Sequence, residues 1–148
     1  QIINYIGDSV MVVYGAPQKL EDHEIISVRC AIGMREKLKE LNAKWDETEF
    51  SRYWKNHGIN EITARTGIHT GSVIAGNIGS DRMLQYSTIG DTVNVASRLE
   101  QKNKDFDTDI LFSQKIYTSL TKDLYDQAKY QGEVSLKGRD TKTRTYSI

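Results

Sequence analysis

Two short apolar runs open the chain, residues 1–6 and 9–14, and they meet at Gly7-Asp8. β-favouring runs joined by a glycine and a short acid predict a hairpin. The stretch GAPQKLEDHE follows and carries the only proline, Pro17. Beyond it Ile25, Val28, Ile32, Leu38, Leu41 and Trp45 recur at intervals of three, four or six. This imperfect apolar face predicts a helix over about 22–44. The segment WDETEFSRYWKNHGINE is polar with aromatic anchors and reads as a linker or a helix extension. Composition predicts strands over 61–68, 72–77 and 83–89, separated by HTG and GSDR. A helix is predicted over 91–103, a short strand over 110–112 and a short helix over 114–120 with Ser113 as its N-cap. Strands around 125–130, 134–136 and 143–148 close the chain. Hairpin, helix, hairpin, helix and small strands, in that order, suit an α+β domain: a mostly antiparallel sheet with helices packed on one face.

Composition narrows the function classes. The 148 residues fit one domain. Lys plus Arg is 20 and Asp plus Glu is 20, so the net charge is zero. There is no basic field for a polyanion and no stripe of cations with interleaved aromatics, which argues against a nucleic-acid partner. The single cysteine, Cys30, forms no internal disulfide, in keeping with a reducing compartment. No apolar run is long enough to span a bilayer, and the start shows no signal-peptide pattern. The chain begins inside a strand-like run without an initiator Met, and reads as a fragment of a longer protein.

Candidate chemistry centres on QYSTIGDTVNVASRLE, residues 85–100. The strand-like run breaks at Gly90-Asp91-Thr92 and a helix-like run follows, with Val93, Ala96 and Leu99 as its apolar side and Val95 flanking. Asn94 and Arg98 stand at i and i+4, stacked on another face. Asn94 falls in the first turn, where unpaired N–H groups and the positive dipole end favour an anion. Arg98 adds a fork of donors one turn deeper. A solvated helix face capped by Asp91 fits the same spacing. Lys137, in SLKGRD, is either a point charge for a phosphate or an ordinary surface lysine. Asp8, at a hairpin tip, is a turn residue or a ligand for a hard metal ion.

The combination is more specific than its parts. NYIGDSVMVVYGAP, ARTGIHTGSVIAGNIGSDRMLQYSTIGDTVNVASRLE and LKG occur in this order over nearly the full chain. From about residue 4 to residue 148 the chain resembles the catalytic domain of class III nucleotide cyclases, the adenylate and guanylate cyclases. That resemblance implies a ferredoxin-like α+β sheet. It also implies an enzyme that makes a cyclic 3′,5′-nucleotide and pyrophosphate with two Mg²⁺ or Mn²⁺ ions held on two aspartates. Asp8 matches one of them. Asn94 and Arg98 match the pair that orients the ribose and binds the α-phosphate, and Lys137 matches a phosphate-contacting lysine. The family works as a head-to-tail dimer with shared sites, so a homodimer is expected. In it, Asn4 and Asp8 would serve opposite sites although they lie on one hairpin.

The sequence also departs from the family's pattern. Its first metal aspartate lies on a strand that would precede residue 1, so the chain is expected to lack that strand and the helix after it, and to show little activity alone. The purine-selecting positions hold Asn4 and Ser87. An Asn4 amide can donate to adenine N1 and a Ser87 hydroxyl can accept from the 6-amino group, which favours ATP; a flipped amide could accept from guanine, which leaves GTP as the alternative. Ser72 stands where some members carry a phosphate-binding arginine. The segment 46–60 has no role the sequence assigns. A module that binds nucleotide or dimerises without turnover is the competing class; Asp8, Asn94, Arg98 and Lys137 together argue against it. The domain is expected in the cytoplasm, with membrane or sensor domains attached only through other parts of the parent chain.

Overall fold

The computed structural model describes residues 1–80, 82–135 and 142–148. The opening hairpin pairs β1 (Ile2–Ile6) with β2 (Ser9–Val12), antiparallel. Gly7 takes a φ of 64° in the turn, a conformation that costs a glycine little. The long helix α1 (His23–Glu47) follows, then the one-turn α2 (Arg52–Lys55). Strand β3 (Thr66–Ile68) leads to a second antiparallel hairpin, β4 (Ile74–Ser80) and β5 (Met83–Ile89). Helix α3 (Asp91–Phe106), strand β6 (Ile110–Ser113) and the short helices α4 (Gln114–Tyr117) and α5 (Lys122–Tyr125) come next. Strands β7 (Lys129–Ser135) and β8 (Lys142–Ser147) complete a four-stranded sheet in the order β3-β6-β8-β7. Its β3–β6 pair is parallel and the other pairs are antiparallel.

The α+β class and the mostly antiparallel pairing match the expectation; the placement of the helices differs from it. Helices cover both faces of the four-stranded sheet rather than one. Ile110 and Phe112 point into a core with Val28 and Ala31 of α1, Ile116, Leu124 and Tyr146. Leu111, between them, points the other way, into Val95 and Leu99 of α3 and Val134. Alternate side chains of a strand face opposite sides, so α1 and α3 sandwich β6. All four β6 residues are buried.

Three local expectations also change. Residues 61–65 are not strand: the Asn42 amide donates to the Ile62 carbonyl at 2.8 Å and accepts from its N–H at 3.0 Å. One side chain thereby satisfies the backbone groups that a strand partner would have taken. The strand expected around 125–130 begins only at Lys129, because Lys122–Tyr125 coils into α5 and its Tyr125 ring stacks on Tyr117, centroids 4.4 Å apart. The segment after α1 has a structural task. Trp54 sits edge-on to Trp45 at 5.4 Å and to Phe50 at 5.5 Å, closing an aromatic cluster over the end of α1.

Helix α3 lies backbone to backbone on β3. A Cβ on Gly67 would run into the backbone of Ala96 and Glu100. At the far end of the helix the buried Asn103 amide donates to the carbonyls of Thr66 (2.9 Å), Glu100 (3.1 Å) and Leu99 (3.2 Å) and accepts from the Thr108 hydroxyl at 2.8 Å. Every polar atom of that amide is used, so its burial costs little. Gly67→Ala is therefore expected to lower stability by about 2–3 kcal/mol or more, since neither backbone can rotate away as a side chain would. Urea unfolding followed by circular dichroism reads this; a loss below about 0.5 kcal/mol would show that the strand and helix part at no cost.

Candidate functional site

Val95, Leu99 and Asn103 are the buried residues of α3. At i, i+4 and i+8 they form the stripe that faces the sheet. The expected stripe of Val93, Ala96 and Leu99 is thus rotated: Val95 is its centre, and Val93 and Ala96 are half-buried at its edges. Asn94 and Arg98 each stand one position before a buried residue, on the flank of that stripe. Asn94 is exposed and Arg98 half-buried. The sequence-based pairing of the two on one helical face holds.

The start of α3 is fixed by contacts that sequence reasoning did not single out. Gly90 is the N-cap and has no side chain to cap with; Val93 N–H donates to its carbonyl at 3.1 Å. The Thr92 hydroxyl donates to the Ser72 carbonyl at 2.9 Å. A Cβ on Gly71 would stand 2.6 Å from that hydroxyl, and one on Gly90 would stand 3.2 Å from the Ser72 carbonyl oxygen. The two glycines leave the notch into which the threonine fits. The same loop is held from its other side, where the Thr70 hydroxyl donates to Glu24 at 3.1 Å and His23 Nε2 lies 3.0 Å from the same carboxylate oxygen. The available signal was Gly71 between Thr70 and Ser72, with Gly90 two residues before Thr92, since such glycines mark close backbone approach.

Three further candidates, Asn4, Asp8 and Ser87, lie on the two hairpins. Asp8 is exposed in the β1–β2 turn. Among the described residues no three His, Cys, Asp or Glu side chains group as a metal cage. Mg²⁺ needs only one or two carboxylates beside substrate phosphates, so Asp8 suits it as a single ligand. Asn4 is half-buried in β1, opposite Met11, and Ser87 half-buried in β5, opposite Gly76. β1 packs against β5, so these two positions stand on neighbouring strands of different hairpins. Asp8 and the Asn94/Arg98 pair have different supports: the hairpin of Asp8 rests on β5, whereas α3 rests on β3 and β6. Lys137 lies outside the described residues.

The whole chain, residues 1–148, matches the family model described as the adenylate and guanylate cyclase catalytic domain, and the chain belongs to that family. It is 36% identical to adenylate cyclase 1 of Rhizobium meliloti over 99% of its length and 20% of that protein's. It is 33% identical to the guanylate cyclase soluble subunit beta-2 of Rattus norvegicus over 99% of its length and 19% of that protein's. The chain thus spans about a fifth of these relatives. The adenylyl cyclase CyaB from P. aeruginosa superposes with a TM-score of 0.74 at 29% identity, over 99% of this chain and 69% of that one. The guanylyl cyclase Cya2 superposes with a TM-score of 0.77 at 26% identity, over 99% and 68%.

The separation of the two faces of α3 is measurable. Asn94→Ala is expected to leave stability within about 0.5 kcal/mol, as an exposed side chain does. Val95→Ala, one residue on and fully buried, should cost about 2 kcal/mol through lost burial and a cavity. Thermal unfolding of the two variants checks this; equal losses would mean that Asn94 belongs to the core.

Proposed function

We propose that this chain is the catalytic domain of a nucleotide cyclase that converts ATP to cyclic AMP and pyrophosphate. The observation that carries the reading is the Asn94/Arg98 pair on the flank of α3, one turn apart and clear of the buried stripe, in a chain that matches the cyclase family over its full length. In the reaction the 3′-oxygen of the ribose bonds to the α-phosphorus. The bond from that phosphorus to the bridging oxygen of the β-phosphate breaks, pyrophosphate leaves, and the 3′-hydroxyl proton is lost. Asn94 orients the ribose. Arg98 supplies donors to the α-phosphate as negative charge builds there, which stabilises the transition state more than the ground state. Asp8 would hold Mg²⁺ or Mn²⁺, which when bound acidifies the 3′-hydroxyl and neutralises the triphosphate. Lys137 contacts the phosphates as a point charge.

Asn4 and Ser87 select the base. Their donor and acceptor match the adenine edge, and neither is an acid of the kind that would take up the guanine N1–H and amino group. GTP is the second reading, favoured by the guanylate cyclases among the relatives; competition between ATP and GTP at equal concentration separates the two.

A homodimer with shared sites completes the reading. Tyr5 and Ile6 on the first hairpin, and Ile74, Met83, Leu84 and Ile89 on the second, are each more than half exposed. Apolar surface concentrated on two hairpins suits burial by a second copy. In the full-length protein Arg98→Ala is expected to lower kcat by roughly 10²–10³-fold, as loss of one charge-stabilising donor does; cyclic AMP formation from ATP and Mn²⁺ reads it, and an unchanged kcat removes Arg98 from the chemistry. Asp8→Ala and Asn94→Ala homodimers should each be nearly inactive, while mixing them should restore one intact site per heterodimer. Mixed dimers that form without regaining activity would rule out sharing between subunits.

A further inference from the structure

We propose that Thr92 and Thr70 are positioning residues for the reaction. Residues 70–72 form a strap, tied at one end to the first turn of α1 and at the other to the first turn of α3, and this strap sets the placement of Asn94 and Arg98. The proposal rests on the cyclase reading of that pair.

Three observations carry it. The Thr92 hydroxyl donates to the Ser72 carbonyl at 2.9 Å, two residues before Asn94 on the same turn. The notch that admits it exists only because residues 71 and 90 have no side chain: a Cβ at Gly71 would press on the Thr92 hydroxyl at 2.6 Å, and one at Gly90 on the Ser72 carbonyl at 3.2 Å. The strap is itself anchored. The Thr70 hydroxyl donates to Glu24 Oε1 at 3.1 Å, and His23 reaches both, with Nε2 3.2 Å from Thr70 Oγ1 and 3.0 Å from Glu24 Oε1. Glu24 is largely shielded, its side chain 19% exposed. A partly desolvated carboxylate holds a hydroxyl donor more firmly than solvent would.

The physical consequence is directional. The middle of α3 is seated by Gly67 against Ala96 and Glu100, and its C-terminal end by Asn103. The Thr92 bond pins the turn that carries Asn94, by a side chain, to a segment outside the helix. Loss of that bond lets the first turn fray and swing while the rest of the helix stays seated. A reacting group displaced by about 1 Å loses roughly 10²-fold in rate. Binding of the nucleotide, spread over many contacts, changes far less.

The experiment measures kcat and KM for ATP in the full-length protein. Thr92→Val keeps shape and loses the donor; Thr70→Val does the same at the other end; Thr92→Ser keeps the donor. Both valine variants are expected to lower kcat by about 10- to 100-fold with KM changed by less than about threefold. The serine variant should stay within about threefold of the parent. An unchanged kcat in the valine variants, or a serine variant as slow as valine, overturns the proposal. Should Thr92→Val fail to fold, Gly71→Ala gives the same reading. It should slow the enzyme when Thr92 is present and add nothing to Thr92→Ala, because the methyl then meets no hydroxyl. Arg98→Ala separates the two levels of inference: an unchanged kcat there removes Arg98 from the chemistry on which the strap's role rests, whereas a slow Arg98→Ala beside a normal Thr92→Val fells only the strap.

Discussion

Helix α3 meets β3 backbone to backbone at Gly67, and the placement of Asn94 and Arg98 depends on that contact. Helices in most domains sit on sheets through interdigitated side chains, whose rotamers absorb small shifts. Here Gly67 brings the strand against the backbone of Ala96 and Glu100. Backbone cannot change rotamer, so the height and rotation of the helix are fixed within narrow limits. Asn103 then locks the far end, giving its amide to three carbonyls. Because 94 and 98 share one face of this rigid rod, fixing the rod aims both side chains at once. A functional pair on a seated helix is held more closely than one on a loop.

The hairpins proposed to select the base are built differently. Asn4 and Ser87 lie on two-stranded hairpins that do not join the main sheet by hydrogen bonds among the described residues. Two-stranded hairpins are marginal alone and draw stability from what covers them. These two lean on each other through β1 and β5 and leave Tyr5, Ile74, Met83 and Leu84 largely in solvent. The residues proposed for the chemistry thus sit on the seated helix, and those proposed for base selection on hairpins that leave much apolar surface exposed.

Much of this was legible in the sequence. The period of α3, the break at Gly90 and the i, i+4 spacing of Asn94 and Arg98 were all in the pattern, and so was each hairpin. What the pattern missed has physical causes. Asn103 is polar and fully buried, so a reading that looks for apolar residues rotates the stripe away from it. Residues 61–65 have strand composition, but Asn42 satisfies the Ile62 backbone from a position twenty residues away in sequence, and no local window sees that. The placement of helices on both faces had a signal that was available. Ile110-Leu111-Phe112 is apolar without alternation, the mark of a strand buried on both sides. The clamp at Thr92 left only Gly71 and Gly90 as a signal, because its partner is a backbone carbonyl, and a carbonyl is present at every position.

The exposure of the site residues bears on how such a domain would work. A guanidinium stabilises developing charge strongly only where water is excluded and its donors are held in advance; in open water the same contact is worth far less. Arg98 is half-buried and meets the second condition through the seating of α3, but Asn94 stands exposed on a single chain. The chain's own charge does not compensate, since cations and carboxylates balance at 20 each. The reaction proposed here therefore requires a cover over the flank of α3. The apolar residues left open on the two hairpins are the surface by which a second copy would be drawn in to provide it. On the proposed reading assembly and catalysis would be one requirement: the contact that buries the hairpins would also have to dry the Asn94/Arg98 face, and an unpaired chain would leave Asn94 solvated.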